Sequence, residues 1–557
     1  MATFPAESSN DSSSLSGDSE YRIVQANTIQ EDSAPKIMLS WENISYTVKS
    51  KLGTEQILKD LSGFANPGEI LAIMGSSGAG KTTLLNVLAG RTRSSDRQVL
   101  SGGIYANGVS ISDVPFGDHA AYVTQTDILL PVLTPMEAVS FSAKLRCRET
   151  DVTGRVQKIL SDLKLTSIAH NKIGSVEIKG ISGGERKRVS IAVELVTEPS
   201  VLFLDEPTSG LDVHTAEVLV KLLAKQTEKG RTIITTIHQP SDSIFNKFHR
   251  LILMSEGHFV YQGNAKKAVD HFNGLGFECP KEISPPDHFM KVLHVKNRRK
   301  QTPEDSEKLK KFISSYKEAQ VYSEQKLEDL SDPRKLDQGF SKNLLFQTKE
   351  LFVRSWKNST RDPALSFVKI AQSLALSILS ILIFNQMDTD LEGVQTRTGF
   401  LFFTTINQVM LSLQTSNLSC KFYLVPTEKP VLIKEHKQGM YGSMIYYLTK
   451  SLTDVPMMIV SSVLQTLIMY WVVGLQNEPD KVFIFCKFYL VAALILMQFS
   501  GCGYGYLVGA LSNSVDIAIT LAPMIVTPFL MFGGYFSNED SLPEAFAWVR
   551  FLSVIHN

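Results

Sequence analysis

The apolar and polar positions divide this chain into two parts that meet near residue 340. Before that point, short apolar runs such as 70–74 and 201–204 alternate with helical segments, which is typical of a buried parallel sheet connected by helices. Beyond it, longer apolar stretches follow one another, and each is long enough to cross a hydrocarbon core of roughly 30 Å. These stretches lie at about 364–386, 397–416, 444–474, 482–511 and 516–536.

The pattern therefore predicts an α/β domain over residues 36–290 and an all-α, polytopic transmembrane domain over residues 341–557. Residues 1–35 are rich in Ser, Asp and Glu, which predicts a disordered N-terminal tail. Residues 291–340 carry mixed charges with little to bury, so we expect a charged linker with a solvated helical face. The stretch 344–363 mixes basic and apolar residues, as expected of an amphipathic elbow helix at the membrane surface.

Charges in the loops between the spans predict the orientation of the chain. The segment between the second and third spans contains Lys421, Lys429, Lys434 and Lys437, whereas the loop after the first span is acidic. Because basic loops tend to stay in the cytoplasm, we expect the α/β domain to be cytoplasmic. The chain has 56 basic and 56 acidic residues, and this balance gives no sign of nucleic-acid binding.

The motif GSSGAGKT at residues 75–82 lies between an apolar run and a helical run. This is the strand, loop and helix context of a phosphate-binding loop. Small residues allow backbone N–H groups to converge on phosphate oxygens, Lys81 can reach the outer phosphates, and Thr82 can ligate Mg²⁺. The predicted cofactors are therefore ATP and Mg²⁺. The expected contact residues are Gly75, Ser76, Ser77, Gly78, Ala79, Gly80, Lys81, Thr82 and Thr83.

A second motif, VLFLDEPTSGLD at residues 201–212, begins with a buried strand. The strand delivers Asp205 and Glu206 to the carboxyl end of the sheet, where α/β folds bind ligands. We expect Asp205 to hold Mg²⁺ through water, and Glu206 to orient the attacking water and accept its proton. A lone Asp-Glu pair is more often a solvated strand end, and the neighbouring motifs are what favour the catalytic role.

Ser182, Gly183, Gly184 and Glu185 form a second small-residue turn ahead of a basic helix. On its own, this turn is an ordinary helix cap or an anion-binding helix N-terminus. Together with the other two motifs, it resembles the signature sequence of the ABC-transporter ATPase domain. The resemblance implies ATP hydrolysis by a P-loop ATPase fold of the ABC type. It also implies a dimer, because in that family the signature of one protomer closes over the ATP held by another.

The same resemblance suggests roles for further positions. Gln125 matches the glutamine loop, which touches the metal and faces the membrane domain, and His238 matches the histidine that contacts the γ-phosphate. Asp212 matches the loop that crosses the dimer interface. The family also stacks an aromatic residue on adenine, and here Tyr46 is the candidate with Trp41 as its competitor.

An ATPase domain ahead of the membrane domain resembles the ABCG, or White-type, half-transporters. The stretches SGGERKRVSIAVEL, TIHQPSDSIFNKF, RSWKNSTRDP and IKEHKQGMYG fit that subfamily. The last of them resembles the coupling helix that receives motion from the ATPase domain, with Glu435 and Tyr441 at the matching positions. For these two residues, a charged juxtamembrane loop is the alternative interpretation.

The resemblance further implies a substrate cavity between two protomers, lined by the second and fifth spans. Charged residues are nearly absent from the spans, which argues against ion or proton relays. This favours a hydrophobic or amphipathic substrate such as a sterol, lipid, pigment precursor or xenobiotic. Aromatic residues near the outer end of the fifth span form either a gate or interfacial anchors. The candidate lining residues are Asn407, Met410, Thr527, Phe532, Tyr535 and Phe536.

Two functional hypotheses follow. The first is an ATP-driven exporter in the plasma membrane or an organelle membrane, which contacts membrane lipid and pairs with a second half-transporter protomer as a homodimer or heterodimer. ABCG half-transporters have six spans, and this sequence ends after five. The second hypothesis is therefore a truncated, non-transporting subunit that dimerises with a complete half-transporter and regulates it.

Overall fold

The computed structural model describes most of both predicted domains. It covers residues 35–50, 53–92, 94–114, 116–148, 151–175, 178–293, 303–319, 342–361, 363–384, 390–422, 425–473 and 487–512, with short stretches between 517 and 528. Within these residues, the first domain forms two β-sheets. Their strands are β1 (Leu39–Ser50), β2 (Gly53–Ala65), β3 (Ile70–Gly75), β4 (Gln98–Ala106), β5 (Val109–Ser110), β6 (Ala120–Val123), β7 (Val201–Asp205), β8 (Thr232–Thr236), β9 (Arg250–Ser255) and β10 (His258–Asn264).

The larger sheet has the strand order β10-β9-β3-β8-β7-β6 in the described part of the chain. Its strands are parallel except for β10, which pairs antiparallel with β9 at one edge. Every residue of β3, β7 and β8 is buried. This burial on both faces explains why the two apolar runs in the sequence do not alternate with polar residues. The smaller sheet is antiparallel, with the order β2-β1-β4-β5.

Helices cover the larger sheet and complete two apolar clusters, one on each of its faces. Along β3, Ile70 and Ala72 belong to one cluster, and Leu71 and Ile73 belong to the other, as the two-residue period of a strand requires. The helices are α1 (Lys81–Leu88), α2 (Phe116–His119), α3 (Pro135–Arg146), α4 (Thr153–Asp162), α5 (Gly183–Leu195), α6 (Val213–Thr227), α7 (Asp242–Phe245), α8 (Ala268–Gly274) and α9 (Pro285–Leu293).

Part of the segment predicted to be a solvated linker packs against the first domain instead. Helix α10 (Pro303–Ala319) inserts Phe312, which is 1% exposed, between the rings of Phe272 and Phe277 at centroid distances of 5.6 and 5.0 Å. One turn later, the Tyr316 hydroxyl donates to the carbonyl of Ser62. The charged residues around these two aromatics concealed an apolar stripe with an i, i+4 spacing, so the expectation of little to bury was wrong for this helix.

Long helices form the second domain, and they coincide with the first four predicted spans. The helix starting at residue 344 is the predicted elbow helix, and the shorter helix after residue 425 precedes the third span. About two thirds of the predicted fifth span, 516–536, lies outside the described residues. The helices are α11 (Leu344–Arg361), α12 (Pro363–Ile383), α13 (Leu391–Phe422), α14 (Val425–Lys437), α15 (Ser443–Val473) and α16 (Lys487–Leu511).

Two helical segments in the described part of the chain, Ser443–Met469 and Leu490–Leu511, are long and apolar enough to cross a membrane, and Ile370–Ile383 is a shorter apolar helix. Helix α13 has 32 residues and is therefore about 48 Å long. It carries polar side chains such as Thr404 and Gln408, which lower its hydropathy, yet both are buried. The predicted second span is therefore a long helix with a polar face turned into the bundle.

Candidate nucleotide site and membrane interface

The loop at residues 75–80 leaves β3 in a conformation that requires glycine. Gly75 has a φ of 155°, and a Cβ there would lie 2.3 Å from the carbonyl oxygen of Met254. Gly80 has a φ of 101°, and a Cβ there would lie 2.9 Å from Leu58. Both positions therefore exclude larger side chains. The backbone can consequently turn sharply from the strand into α1, with Ser77 and Gly78 exposed at the loop tip.

Lys81 closes over this loop. Its side chain is buried, and Nζ donates to the carbonyl oxygens of Gly75 at 2.9 Å and Ser76 at 3.1 Å. Helix α1 begins directly at Lys81, with no side-chain cap and no acidic residue in its first turn. The helix start therefore offers backbone N–H groups and a lysine ammonium to the same point, which is the arrangement that binds phosphate.

The metal-binding candidates Thr82 and Asp205 are in contact. The Thr82 hydroxyl donates to Asp205 Oδ1 at 3.0 Å, and the Thr236 hydroxyl, at the end of β8, donates to the same oxygen at 2.8 Å. The Tyr122 hydroxyl, at the end of β6, lies 3.4 Å from Asp205 Oδ2. Three parallel strands thus converge on one carboxylate, as expected for the carboxyl edge of the sheet.

Sequence reasoning missed Tyr122, which stands three residues before Gln125. The Arg91 guanidinium lies over its ring, 4.0 Å from the ring centre. This contact joins the segment just beyond α1 to β6. Burial and the charge of Asp205 raise the pKa of the Tyr122 hydroxyl, so it remains a hydrogen-bond donor. A tyrosine inside an apolar strand gives no functional signal of its own, which explains the omission.

The proposed base, Glu206, is held from two sides. Its backbone has a φ of 43°, in the left-handed region that non-glycine residues seldom adopt. Its N–H donates to Thr236 Oγ1 at 2.8 Å, and the side-chain amide of Gln125 donates to its carboxylate at 2.9 Å. The structure therefore brings the glutamine loop and the Asp-Glu pair together, although they are separated by 81 positions in the sequence.

The signature turn caps helix α5. Ser182 Oγ accepts from the N–H of Glu185, and the Glu185 carboxylate accepts from the N–H of Ser182 at 2.9 Å, which completes a capping box. Ser182 and Gly183 are exposed. Gly184 is buried, and a Cβ there would lie 2.1 Å from Thr215 Cγ2 at the start of α6. Gly184 therefore has no room for a side chain, whereas Gly183 has open space around it.

The other predicted nucleotide contacts lie around this centre. Asp212 caps α6 by accepting from the N–H of Thr215 at 2.9 Å, and hydrogen bonds from Thr215 lower the pKa of its carboxyl group. His238 is exposed two residues beyond β8. Trp41 is fully buried and is excluded as an adenine platform, and Tyr46 is only 6% exposed within the same apolar cluster. Burial thus leaves the Tyr46 ring little free surface for stacking.

The residues present fit Mg²⁺ and a triphosphate. The Thr82 hydroxyl, the Asp205 carboxylate and the Gln125 amide are oxygen donors, the ligand type that Mg²⁺ prefers. Thr82 and Asp205 are already in contact. On the phosphate side, Lys81 and the uncapped start of α1 supply the compensating positive charge.

The predicted coupling residues form a buried cluster with the elbow helix. Arg354 of α11 donates to both carboxylate oxygens of Glu435 at 2.7 and 2.8 Å and to the Tyr441 hydroxyl at 3.3 Å. Tyr441 in turn donates to Glu435. The Arg354 guanidinium also lies 4.1 Å from the ring centre of Phe141, on α3 of the ATPase-like domain. We call Phe141, Arg354, Glu435 and Tyr441 the elbow cluster.

A second contact joins α3 to the end of the elbow helix. Glu137, which completes the capping box at the start of α3 with Thr134, accepts from Lys357 at 2.9 Å and from Arg361 at 2.6 Å. Burial alone would raise the pKa of Glu137, but hydrogen bonds from Arg361 and Lys357 outweigh it and lower the pKa to about 2. The chain between Gln125 and α3 is short, so this contact connects the glutamine loop to the membrane domain.

The structure gives a partial view of the candidate substrate cavity. The Asn407 amide donates to the carbonyl of Phe403 within its own helix, at 2.8 Å. Met410 is half-buried against an apolar cluster that joins α13 to α16. Thr527 is exposed. The remaining three predicted residues, Phe532, Tyr535 and Phe536, lie outside the described residues.

The first domain contains a phosphate loop, an Asp-Glu strand end, a glutamine loop and a signature helix, and it is joined to long membrane helices. Together, these features define an ATP-binding cassette transporter. Sequence profiles of known families agree with this class. The profile described as "ABC transporter" matches residues 58–209, and two profiles described as "ABC-2 type transporter" match residues 346–556 and 238–313.

Similar proteins extend over nearly the whole chain. Protein white of Drosophila melanogaster is 33% identical over 511 residues, covering 90% of this chain and 73% of that protein. The broad substrate specificity ATP-binding cassette transporter ABCG2 of Bos taurus is 32% identical over 555 residues, covering 93% and 82%. ABC transporter G family member 7 of Arabidopsis thaliana is 32% identical over 541 residues, covering 94% and 73%.

Solved structures of isolated cassettes also match. A nucleotide-free ATP-binding cassette from an ABC transporter is 22% identical and covers 45% of this chain and 98% of its own, with a TM-score of 0.37. A dimeric bacterial ABC transporter cassette is 24% identical and covers 41% and 98%, with a TM-score of 0.35.

The chain belongs to the ABC transporters and, within them, to the White/ABCG group. It is an ATP hydrolase coupled to transmembrane transport, with an ABC ATPase domain ahead of a helical ABC-2 membrane domain. It is accordingly a membrane protein with a cytoplasmic ATPase domain. The sequence-based predictions of the family and of the fold class are confirmed.

Proposed function

We propose that this chain is one protomer of a dimeric, Mg²⁺-dependent exporter of hydrophobic or amphipathic molecules, such as sterols, lipids, pigment precursors or xenobiotics. One observation carries the proposal for the ATP site: the motif residues touch each other. Thr82 contacts Asp205 at 3.0 Å, and Gln125 contacts Glu206 at 2.9 Å. Contacts between residues so distant in sequence support a single reaction centre.

In this proposal, Lys81 and the start of α1 bind the β- and γ-phosphates. Thr82, Asp205 and Gln125 would hold Mg²⁺, which when bound neutralises charge on the phosphate oxygens. Glu206 orients the attacking water and accepts its proton. Thr236 positions both acidic residues, because its hydroxyl donates to Asp205 and accepts from the backbone N–H of Glu206.

The proposed dimer supplies the remaining contacts. Ser182 and Gly183 are exposed at the start of α5, and Val213, next to Asp212, is 67% exposed. An exposed apolar residue beside a fixed helix cap suits a protein interface. We propose that these surfaces face a second half-transporter protomer and that Ser182 covers the ATP bound by that protomer. His238 would contact the γ-phosphate of the ATP bound by its own chain.

The near absence of charged residues from the spans supports a hydrophobic or amphipathic substrate. Apolar side chains such as Leu382, Leu496 and Leu507 are exposed along the spans, as expected for contact with lipid. One relative is named a broad substrate specificity transporter. Asn407, Met410 and Thr527 remain the proposed lining residues within the described part, and the plasma membrane or an organelle membrane remains the proposed location.

Replacing Glu206 with Gln tests the assignment of the base. We expect Glu206→Gln to lower the ATP turnover of the purified full chain in liposomes by at least about 100-fold, because a neutral amide cannot accept the proton. Binding of a fluorescent ATP analogue should remain within about twofold of wild type, since the phosphate contacts stay in place. Turnover is measured as phosphate release.

Glu228→Gln is the matched control, because Glu228 is exposed beyond the end of α6 and remote from the motifs. It should hydrolyse ATP at the wild-type rate. Turnover above about one tenth of wild type in Glu206→Gln would refute the role of Glu206.

Transport is tested with inside-out vesicles and three probes: a dansyl-labelled sterol, a fluorescent phosphatidylcholine and rhodamine 123. ATP-dependent accumulation of at least one probe is expected in the wild type and should be absent in Glu206→Gln. Normal ATP hydrolysis with no accumulation of any probe would reject the proposed substrate class.

A further inference from the structure

The signature helix α5 ends at a carboxylate that is completely removed from solvent. Glu194 is 0% exposed, and its carboxylate accepts from Arg146 of α3 at 3.1 Å. It also pairs with Lys434 of α14 at 2.8 Å, and the Gln438 amide contacts both of its oxygens at 2.9 Å. Two of these three partners belong to the membrane domain, so Glu194 is shared between the domains.

Opposing effects act on this carboxylate. Burial alone would raise the pKa of Glu194, but the charges of Lys434 and Arg146 outweigh burial and lower the pKa to about 2. The group is therefore ionised at neutral pH. An ionised carboxylate without solvent is stable only while its partners stay in place, so a movement of Glu194 must carry Lys434 with it or break a costly contact.

Helix α5 begins at the signature turn and contacts the glutamine loop, the two motifs expected to respond to ATP. The capping box of Ser182 and Glu185 forms its start. Near its middle, the buried Lys187 donates to the carbonyl of Gln125 at 2.7 Å and pairs with Asp127 at 2.8 Å. Helix α5 has 13 residues and is therefore a rod about 20 Å long. Signature, glutamine loop and Glu194 are fixed along one rigid body.

In the part of the chain that the structure describes, the other ion pairs between the domains reach a different helix. Glu137 and Lys144 of α3 contact residues of the elbow helix α11. Glu194 instead contacts α14 and the residue just beyond it. It therefore gives the signature helix a direct contact with the proposed coupling helix, in addition to the elbow cluster, in which Glu435 of the same helix contacts Arg354.

We propose that Glu194 is a positioning residue that couples the signature helix to helix α14, so that closure of the signature over ATP displaces α14 through the Glu194–Lys434 pair. The inference rests on the proposed function, because it requires ATP-driven closure of the signature. The movement originates at Ser182 and passes along α5. It leaves the ATPase domain at Glu194 and reaches the membrane domain at Lys434.

Hydrogen–deuterium exchange measures both ends of this rod without knowledge of the substrate. The full chain in nanodiscs, with the Glu206→Gln change to retain nucleotide, is compared with and without Mg²⁺-ATP. In this parent, exchange is expected to change in the signature peptide 181–195 and in the coupling peptide 425–442. Adding Lys434→Met should leave the signature response intact and reduce the coupling response at least threefold.

Three further variants separate coupling from folding. Glu194→Gln removes the same charge pair from the other side and should reproduce the loss. Lys434→Arg keeps a cation that can reach Glu194 and should keep the coupling response. Lys437→Met changes an exposed lysine on the same helix and should also keep it.

The outcomes distinguish this inference from the proposed function. A signature response with an unreduced coupling response in both Lys434→Met and Glu194→Gln overturns the inference alone. Loss of the coupling response in Lys437→Met overturns it as well, because the effect would not belong to the pair. If the parent shows no signature response to ATP, the proposed function fails and this inference fails with it.

Discussion

Arg354→Met removes the cation at the centre of the elbow cluster. Arg354 is buried and makes two short hydrogen bonds to Glu435. Methionine preserves much of the apolar stem that packs near Phe141, so the substitution mainly deletes charge and hydrogen bonds. What remains is the Glu435 carboxylate, buried beside Tyr441 without its counter-charge.

The expected magnitude follows from that uncompensated charge. Removing one partner of a buried ion pair costs roughly 3–5 kcal/mol. For a cooperative unit of 150–250 residues, each 1 kcal/mol shifts Tm by roughly 2–4 °C, so Arg354→Met should lower Tm by about 6–20 °C. Adding Glu435→Gln neutralises the stranded charge, and the double variant should recover at least about half of the loss.

The assay is thermal unfolding of the full chain in detergent, followed by tryptophan fluorescence. Lys349→Met is the control, because Lys349 is exposed on the same elbow helix, and it should change Tm by less than about 2 °C. A change of that small size in Arg354→Met, or a double variant less stable than the single one, would refute the reasoning.

Three further predictions concern stability. Glu194→Gln should lower Tm at pH 7, and the difference from wild type should shrink as the pH falls from about 4.5 to about 2: the folded pKa is depressed, so the stabilisation present above the unfolded pKa is lost through the folded one. Phe312→Ala should destabilise the ATPase domain by about 3–5 kcal/mol, measured by urea unfolding, because its ring is fully buried; a loss below about 1 kcal/mol would show that α10 is dispensable. Gly184→Ala should cost about 1–3 kcal/mol in the same assay, because its Cβ would meet Thr215 at 2.1 Å, whereas Gly183→Ala, with open space around it, should cost less; equal losses would contradict the steric argument.

The sequence was sufficient for the phosphate loop because its geometry is local. Gly75 and Lys81 stand six positions apart, and the Lys81 ammonium bonds back to the Gly75 carbonyl. Burial on both faces of the sheet likewise leaves a direct trace in uninterrupted apolar runs such as 201–204. Fold class and motif order follow from such short-range signals.

The contacts that join the elbow helix, helix α14 and the ATPase domain leave no such trace. Arg354 and Glu435 are 81 positions apart, and Glu194 and Gln438 are 244 apart. A single sequence does not distinguish a buried carboxylate in a helix from an exposed one, since charged residues are mostly solvated. Glu435 was identified through family resemblance alone, and Glu194 gave no signal.

The environment of aromatic residues leaves no trace in the sequence either. Trp41 and Phe312 stand among polar neighbours, where they suggest exposure, yet tertiary packing buries both completely. Their environment is decided by which element covers them. Periodicity within one strand or helix does not reveal the covering element, so the sequence did not show that Trp41 and Phe312 are buried.

The use of ion pairs at the domain boundary has a physical rationale. A buried pair such as Glu194–Lys434 need not be more stabilising than an apolar contact of similar volume. It differs in its response to displacement, because an apolar surface can slide with small losses, whereas separating buried charges costs several kcal/mol within a short distance. An interface built from such pairs therefore resists partial slippage and moves as a unit. That property suits a boundary through which closure at Ser182 has to reach the membrane helices.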